Sequence, residues 1–434
     1  MKNPILLILI FCQVAISQSF DKTKLDKYFN SIDDNKKFMG SVAVSKNGEI
    51  IYLKSVGYAD INNKIKANNE TKYRIGSISK SFTAILVLKA VENKKLELNQ
   101  TIDKWFPTIK NSEKISVKQL LNHRSGIYNF TNSPDYLSLS TQAKTEEEMI
   151  EIIKAGGNNF LPDSKAEYSN SNYVLLTYIL EKTFSKSYSE LLNEFIINPI
   201  ELKNTYVFGK INTINNESKS YKFLGSWIEE SETNYTIPLG AGAITSTASD
   251  LTKFADALFG EQLLNSESLE AMKTIQEGYG YGLFQIPFYS SLGFGHTGGI
   301  DGFSSVFAHF PEENISYALT SNGTIMNNND ISIAVLSAVF NKPYEIPVFI
   351  SYTSVDLDKY LGVYSTEQIP LKITITKNGN TLIAQGTGQP EFPLEAINKD
   401  IFKFDQVGAK FEFILEENKM ILFQNGMQIN FTKN

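Results

Sequence analysis

Apolar positions in this chain alternate near both ends and recur at helical spacing through the middle, so strands flank a helical centre. Gly40-Ser-Val-Ala-Val-Ser45 and Ile50-Ile-Tyr-Leu53 flank Lys46-Asn47-Gly48-Glu49, a strong turn signal that predicts a hairpin over residues 39–56. Residues 116–123 and 170–196 read as helices, the second leaving through Asn198-Pro199. Thr247-Ala-Ser-Asp250 reads as the N-terminal cap of a helix to about Leu258. Short runs then follow at Tyr281–Ile286, Gly293–Thr297, Phe303–Phe310 and Ile315–Ser321, broken by Pro and Gly, before a last helix over 331–340. One antiparallel sheet with helices packed on it accounts for this order, a mixed α+β fold.

Pro343 and Pro347 mark a linker. Beyond it, Leu371–Thr376, Thr381–Ala384, Phe411–Leu415, Met420–Phe423 and Met427–Phe431 are strand-like, with Asn378-Gly379 as a turn. The expected organisation is a main domain over 22–341 and a small all-β barrel or sandwich over 353–434. No catalytic constellation falls in the second, so it reads as a packing or lid domain rather than a wall- or substrate-binding module.

Composition changes this picture little. A net charge of −6, with no run of Lys or Arg, argues against a nucleic-acid partner. Lys2, the apolar run Ile5–Phe11 and Ala15-Ile16-Ser17 have the layout of a secretory signal over residues 1–17, which implies a secreted or periplasmic protein. The run is short for a membrane span, and bulky Phe11 before Cys12 argues against a lipid anchor, so no stable membrane anchor is expected. Cys12 is the only cysteine and would leave with the signal, which excludes disulfides and thiolate metal sites from the mature chain. The three histidines and the absence of an HExxH pattern point to no metal site and no cofactor.

Candidate chemistry lies in three short segments. Ser77-Ile-Ser-Lys80, inside Tyr73-Arg-Ile-Gly-Ser-Ile-Ser-Lys-Ser-Phe-Thr-Ala84, heads an apolar helix. Residues three apart on a helix share a face, so the Lys80 amine can reach the Ser77 hydroxyl. A desolvated lysine can then serve as the base that a serine nucleophile needs. The same spacing also occurs by chance at Ser19–Lys22, so the motif gains weight only beside Tyr168-Ser169-Asn170 and His296-Thr297-Gly298-Gly299.

These motifs, in this order, resemble the penicillin-recognising serine hydrolases, a group holding class C β-lactamases, D-alanyl-D-alanine carboxypeptidases, D-aminopeptidases and related esterases. Leu120-Leu-Asn-His-Arg-Ser-Gly-Ile127 and Gly240-Ala-Gly-Ala-Ile-Thr-Ser-Thr-Ala-Ser-Asp-Leu251 extend the likeness over roughly residues 22–340. The resemblance implies a β-lactamase/transpeptidase-like fold, with an antiparallel sheet flanked by helices and an all-helical subdomain. It implies a Ser77 acyl-enzyme, proton relay through Lys80 and Tyr168, and an oxyanion held by the Ser77 and Gly299 N–H groups. Asn170 would orient Lys80 and a substrate amide, Gly298 and Gly299 would admit a substrate backbone, and Thr297 would meet a substrate carboxylate. Cationic Lys80 and His296 would lower the Tyr168 pKa, and His296 would tie activity to pH.

His296 is a departure, since the class C pattern has Lys there. D-amino-acid peptides such as peptidoglycan fragments are therefore the expected substrates, cleaved in carboxypeptidase- or D-aminopeptidase-like fashion. A small-acyl esterase, a β-lactamase and a catalytically silent wall-binding protein stay as alternatives. His123 is expected to brace the loop at Ser125-Gly126, His309 to be structural, and Asp301 to be a turn acid.

Overall fold

The computed structural model describes residues 20–434, so the proposed signal segment and Cys12 lie outside the described residues. A six-stranded antiparallel sheet organises the main part of the chain. In spatial order its strands are Phe284–Phe288, Ser291–Ile300, Phe303–Phe310, Ile315–Thr324, Phe38–Lys46 and Glu49–Val56. The first and last parts of the chain thus meet at the Ile315–Thr324 and Phe38–Lys46 strands, register Val42 to Leu319. The N-terminal hairpin forms as its sequence predicts, with Asn47 at φ 54° and Gly48 at φ 80°.

Both faces of this sheet are covered, which explains the unbroken apolar and small run at residues 40–45. Val42 and Val44 point into one core with Phe29 and Ile32 of the Lys22–Asp34 helix and Val335 of the Asn328–Val339 helix. Ala43 and Ala318 point to the other side, into the larger core of the Ser79–Glu92, Asn170–Phe184 and Ala248–Phe259 helices. Thr247 caps the last of these as expected, accepting from the Asp250 N–H. The Ser79–Glu92 helix is buried nearly all round, so it carries almost no polar face and sits as the central post of the domain.

The helix expected over 170–196 is in fact broken. It ends at Phe184, Ser185 turns left-handed at φ 53°, and Ser187 starts Tyr188–Leu192 through a capping box with Glu190. Two serines, Ser185 and Ser187, which compete for backbone hydrogen bonds, lie at that point, and periodicity does not register them.

Residues 362–433 form a closed eight-stranded antiparallel barrel, where the sequence allowed a barrel or a sandwich. Tyr360, Tyr364, Phe402, Phe411, Phe413 and Phe431 fill its interior. The barrel docks through the Lys37–Glu395 ion pair at 2.7 Å and the Asn378 amide, which donates to the Leu224 carbonyl at 2.7 Å. The Pro-marked linker lies along the first helix, with the Ser31 hydroxyl donating to the Pro347 carbonyl at 2.7 Å. No helix among the described residues is long and apolar enough to cross a membrane.

The contact between the central helix and the sheet runs through Phe254, stacked on Phe82 at 3.9 Å and edge-on to Phe307 at 5.7 Å. Phe254→Ala should therefore cost about 3–5 kcal/mol, read as a lower denaturation midpoint for the main domain with the barrel's transition unmoved.

Candidate active site

Ser77 lies in a single 3-10 turn, Gly76–Ile78, that runs straight into the Ser79–Glu92 helix. The turn needs glycine at its entry. Gly76 has φ +50°, and a Cβ there would stand 2.7 Å from the Gly299 nitrogen. One residue earlier, the Ile75 carbonyl oxygen lies where a Gly298 Cβ would come within 2.0 Å, and it accepts from the Ser305 hydroxyl at 2.8 Å. A glycine seam thus presses the backbone around Ser77 against the backbone of the His296 strand.

That strand is open where it meets the seam. The Phe284–Phe288 strand pairs only with Ser291–Gly295, which leaves His296–Ile300 without a partner on that side. Ile300 and Phe303 close a two-residue turn at Asp301-Gly302, so they form a hydrogen-bonded pair. Alternation then turns the N–H and C=O of Thr297 and Gly299 away from the neighbouring strand and toward the open edge. Consistent with this, the His296 Nδ1 contacts the Thr297 carbonyl oxygen.

The Lys80 amine is fully buried. Its Nζ stands 2.7 Å from Asn170 Oδ1, 2.7 Å from the Ala241 carbonyl oxygen and 3.0 Å from Ser77 Oγ. Among the described residues no carboxylate offsets its charge, and burial holds its pKa well below the usual lysine range. A neutral amine donates its two hydrogens to the two carbonyl-type oxygens and leaves its lone pair for the Ser77 hydroxyl. The geometry suits a base. The Asn170 amide also donates to Thr131 Oγ at 3.1 Å, which fixes the orientation that gives Lys80 an oxygen.

The Tyr168 ring faces the same amine at 4.8 Å, with its phenol beside the Ser77 hydroxyl. Burial raises the phenol's pKa, which corrects the expectation of a lowered one. Of the two expected cationic neighbours, His296 brings no charge at neutral pH. His296 is buried, and burial together with the field of Lys80 pushes its imidazole down to about 3. It therefore stays neutral across the physiological range. Thr297 alternates to the other side of the strand, where it is exposed and lines a cleft with Val306, Tyr317 and Ile333. The side chain expected to meet a carboxylate is turned away from Ser77.

The structure brings Ser77, Lys80, Tyr168 and Asn170 into direct contact and sets the edge of His296, Gly298 and Gly299 beside them. His123 joins this group, which its sequence setting did not signal. It sits at φ +59° with its ring 4.5 Å from Tyr168, and its Nδ1 accepts the Ser169 N–H at 3.2 Å. The His123 carbonyl also accepts from the Glu167 N–H at 2.9 Å, so both neighbours of Tyr168 are tied to it. Tyr279 and Phe284 complete an aromatic wall along His123 and His296. His309 is structural as expected, hydrogen-bonded to Ser316 Oγ at 2.8 Å and stacked on Phe259.

Fold and site geometry agree with the comparison to known families. The chain matches the Beta-lactamase family over residues 25–340 and belongs to it, and it is a serine hydrolase. Over 447 aligned residues it is 24% identical to penicillin-binding protein 4* of Bacillus subtilis (strain 168), covering 93% of this chain and 97% of that one. It is 28% identical to the teichoic acid D-alanine hydrolase of Staphylococcus aureus (strain MRSA252), over 74% of this chain and 79% of that one. The solved D-amino acid amidase from Ochrobactrum anthropi SV3 is similar at 28% identity and a TM-score of 0.65, covering 73% of this chain and 98% of that chain.

Burial that lowers the Lys80 pKa also sets a pH signature. The unfolded chain binds this proton up to the ordinary lysine range while the folded one releases it earlier, so the charged form opposes folding and the penalty fades as pH rises. Lys80→Met removes the penalty. The melting temperature of the parent should therefore gain on that of the variant between pH 6 and pH 10, measured by paired thermal scans.

Proposed function

We propose that this protein releases D-amino acids from D-aminoacyl amides or esters through an acyl-enzyme on Ser77. Lys80 in its neutral form takes the Ser77 proton as the oxygen attacks the carbonyl carbon. The Ser77 and Gly299 N–H groups hold the oxygen as it becomes negative. Tyr168, protonated at rest, hands its proton to the departing amine or alcohol and regains one from Lys80, and the C–N or C–O bond breaks. Water then repeats the attack on the ester, and Ser77 leaves with the returned proton. Asn170 keeps Lys80 in place and offers its amide N–H to the acyl portion.

The observation that carries the substrate class is electrostatic. Carboxypeptidase and β-lactam substrates both bear a carboxylate close to the scissile bond, and a carboxylate needs a cation or charged donors. Here His296 is neutral and Thr297 is turned away. The fixed charges at the end of the open edge are Arg74, Asp301 and Glu232, which sum to −1. That balance favours a substrate with a free α-ammonium and an uncharged leaving group. The D configuration is supported by the relatives whose names are a D-amino acid amidase and a D-alanine hydrolase. The signal-like residues 1–17 support action outside the cytoplasm, where D-alanyl groups of the envelope are within reach.

Competing substrates test this directly. D-alanine p-nitroanilide and D-alanine methyl ester should show kcat/KM at least ~100-fold above that for a peptide ending in D-Ala-D-Ala or for benzylpenicillin. L-alanine p-nitroanilide should be the poorer enantiomer, and Ser77→Ala should lose ~1000-fold or more. Preference for the carboxylate-bearing substrates would sink the proposal.

A further inference from the structure

We infer that Arg74 and Asp301 are positioning residues whose ion pair sets the spacing of the two N–H groups that face the reacting carbonyl. This rests on the Ser77 acyl-enzyme reading but not on any particular acyl group. Arg74 lies three residues before Ser77, and Asp301 two residues after Gly299. The Arg74 Nη1 donates to Asp301 Oδ2 at 2.9 Å, and the two side chains are 2% and 5% exposed. The pair therefore bridges the two backbone segments that the glycine seam brings together.

Its partners show that it is built to hold a shape. Asp301 Oδ1 accepts from the Thr233 hydroxyl at 2.6 Å and from the Thr233 N–H at 3.1 Å. Arg74 also donates to the Thr233 carbonyl at 3.1 Å, the Gly209 carbonyl at 3.0 Å and Glu232 Oε2 at 2.8 Å, and its guanidinium lies 4.0 Å from the Phe208 ring. The fork is held in one plane by acceptors on three separate chain segments. Asp301 stands at φ 52° in the two-residue turn, so the turn that ends the Gly299 strand is itself anchored by its side chain. Gly76 abuts Gly299 and Gly298 abuts Ile75 with no room for a Cβ, and the Ser305 hydroxyl holds the Ile75 carbonyl in this seam at 2.8 Å. The ion pair fastens the same two segments a second time, at Arg74 and Asp301.

An oxyanion site fails when its donors shift, because they act only at the distance the transition state presents. The loss should then fall on kcat and not on KM. The test uses p-nitrophenyl acetate, an activated ester with no amino-acid portion, and counts sites by covalent labelling of Ser77 with a fluorophosphonate. This separates loss of folded protein from loss of rate per site. A parent that hydrolyses this ester but no D-aminoacyl substrate would remove the substrate proposal and leave this one standing.

Asp301→Ala should lower kcat per labelled site by about 10–100-fold with KM within threefold. Asp301→Asn, which keeps an acceptor for Thr233 and loses the charge, should lose about 3–10-fold, and Arg74→Lys should lose a similar amount. The double variant should be no worse than the poorer single, since both break one link. Asp301→Asn and Arg74→Lys decide the matter where the alanine variant does not fold. Unchanged kcat per site in both, a loss carried by KM, or losses that multiply in the double variant would each overturn the inference.

Discussion

A lysine amine buried without a counter-ion is the constraint around which the rest of this structure is arranged. Lys80 has no carboxylate to stabilise its ammonium form, so desolvation favours the neutral amine that a serine nucleophile requires. Maintaining that state takes a large apolar surround. The helix that carries Lys80 is buried along most of its length, the Leu239–Ala241 turn meets the amine on one side, and an aromatic group of Tyr168, Tyr173 and His123 lies close by. Among the described residues, the polar contacts of the amine are the uncharged oxygens of Ser77, Asn170 and Ala241. The size of the core is thus tied to the chemistry, because a smaller domain would let water reach the amine and restore its ordinary pKa.

The second requirement is backbone precision, and here side chains are removed rather than added. Gly76 and Gly298 let two chain segments meet at distances that no Cβ permits. The His296 strand can then offer its unpaired edge beside the Ser77 turn, with the strand on its other side fixing the register residue by residue. Sheet and helix contribute different things. The helix contributes the nucleophile and base, while the sheet supplies a rigid ruler for N–H groups.

Much of this was legible in the sequence, and the limits follow from what a linear pattern can encode. Ser77 and Lys80 share a helix turn, and His296 to Gly299 share a strand, so local spacing sufficed for both. The hairpin at Asn47-Gly48 and the cap at Thr247 are equally local. The pairing of Arg74 with Asp301 spans 227 residues and depends on strand register, so no local signal could reveal it. His123 stood in a recognisable segment, but its stacking on Tyr168 arises only once two loops meet. Among the barrel strands, Glu391–Asn398 escaped notice because Pro393 and a bulge at Ala396/Asn398 interrupt its alternation. The charge state of Tyr168 was misjudged for a related reason, since burial depth is a three-dimensional property and outweighed the expected neighbours.

Neutral His296 follows from the same constraint that governs Lys80. Two permanent cations in one water-poor pocket without an anion would repel, and each would push the other's proton off. A histidine avoids this, because its ordinary pKa already lies near neutrality and a modest penalty keeps it uncharged while its ring still packs against Phe284. The consequence is that His296 offers no fixed positive charge with which to attract an anionic group. Whatever discrimination by charge occurs must come from the rim, and there the Arg74 guanidinium is already consumed by two carboxylates. The choice of an uncharged base therefore reaches beyond proton transfer and biases which carbonyl compounds can settle against the open edge.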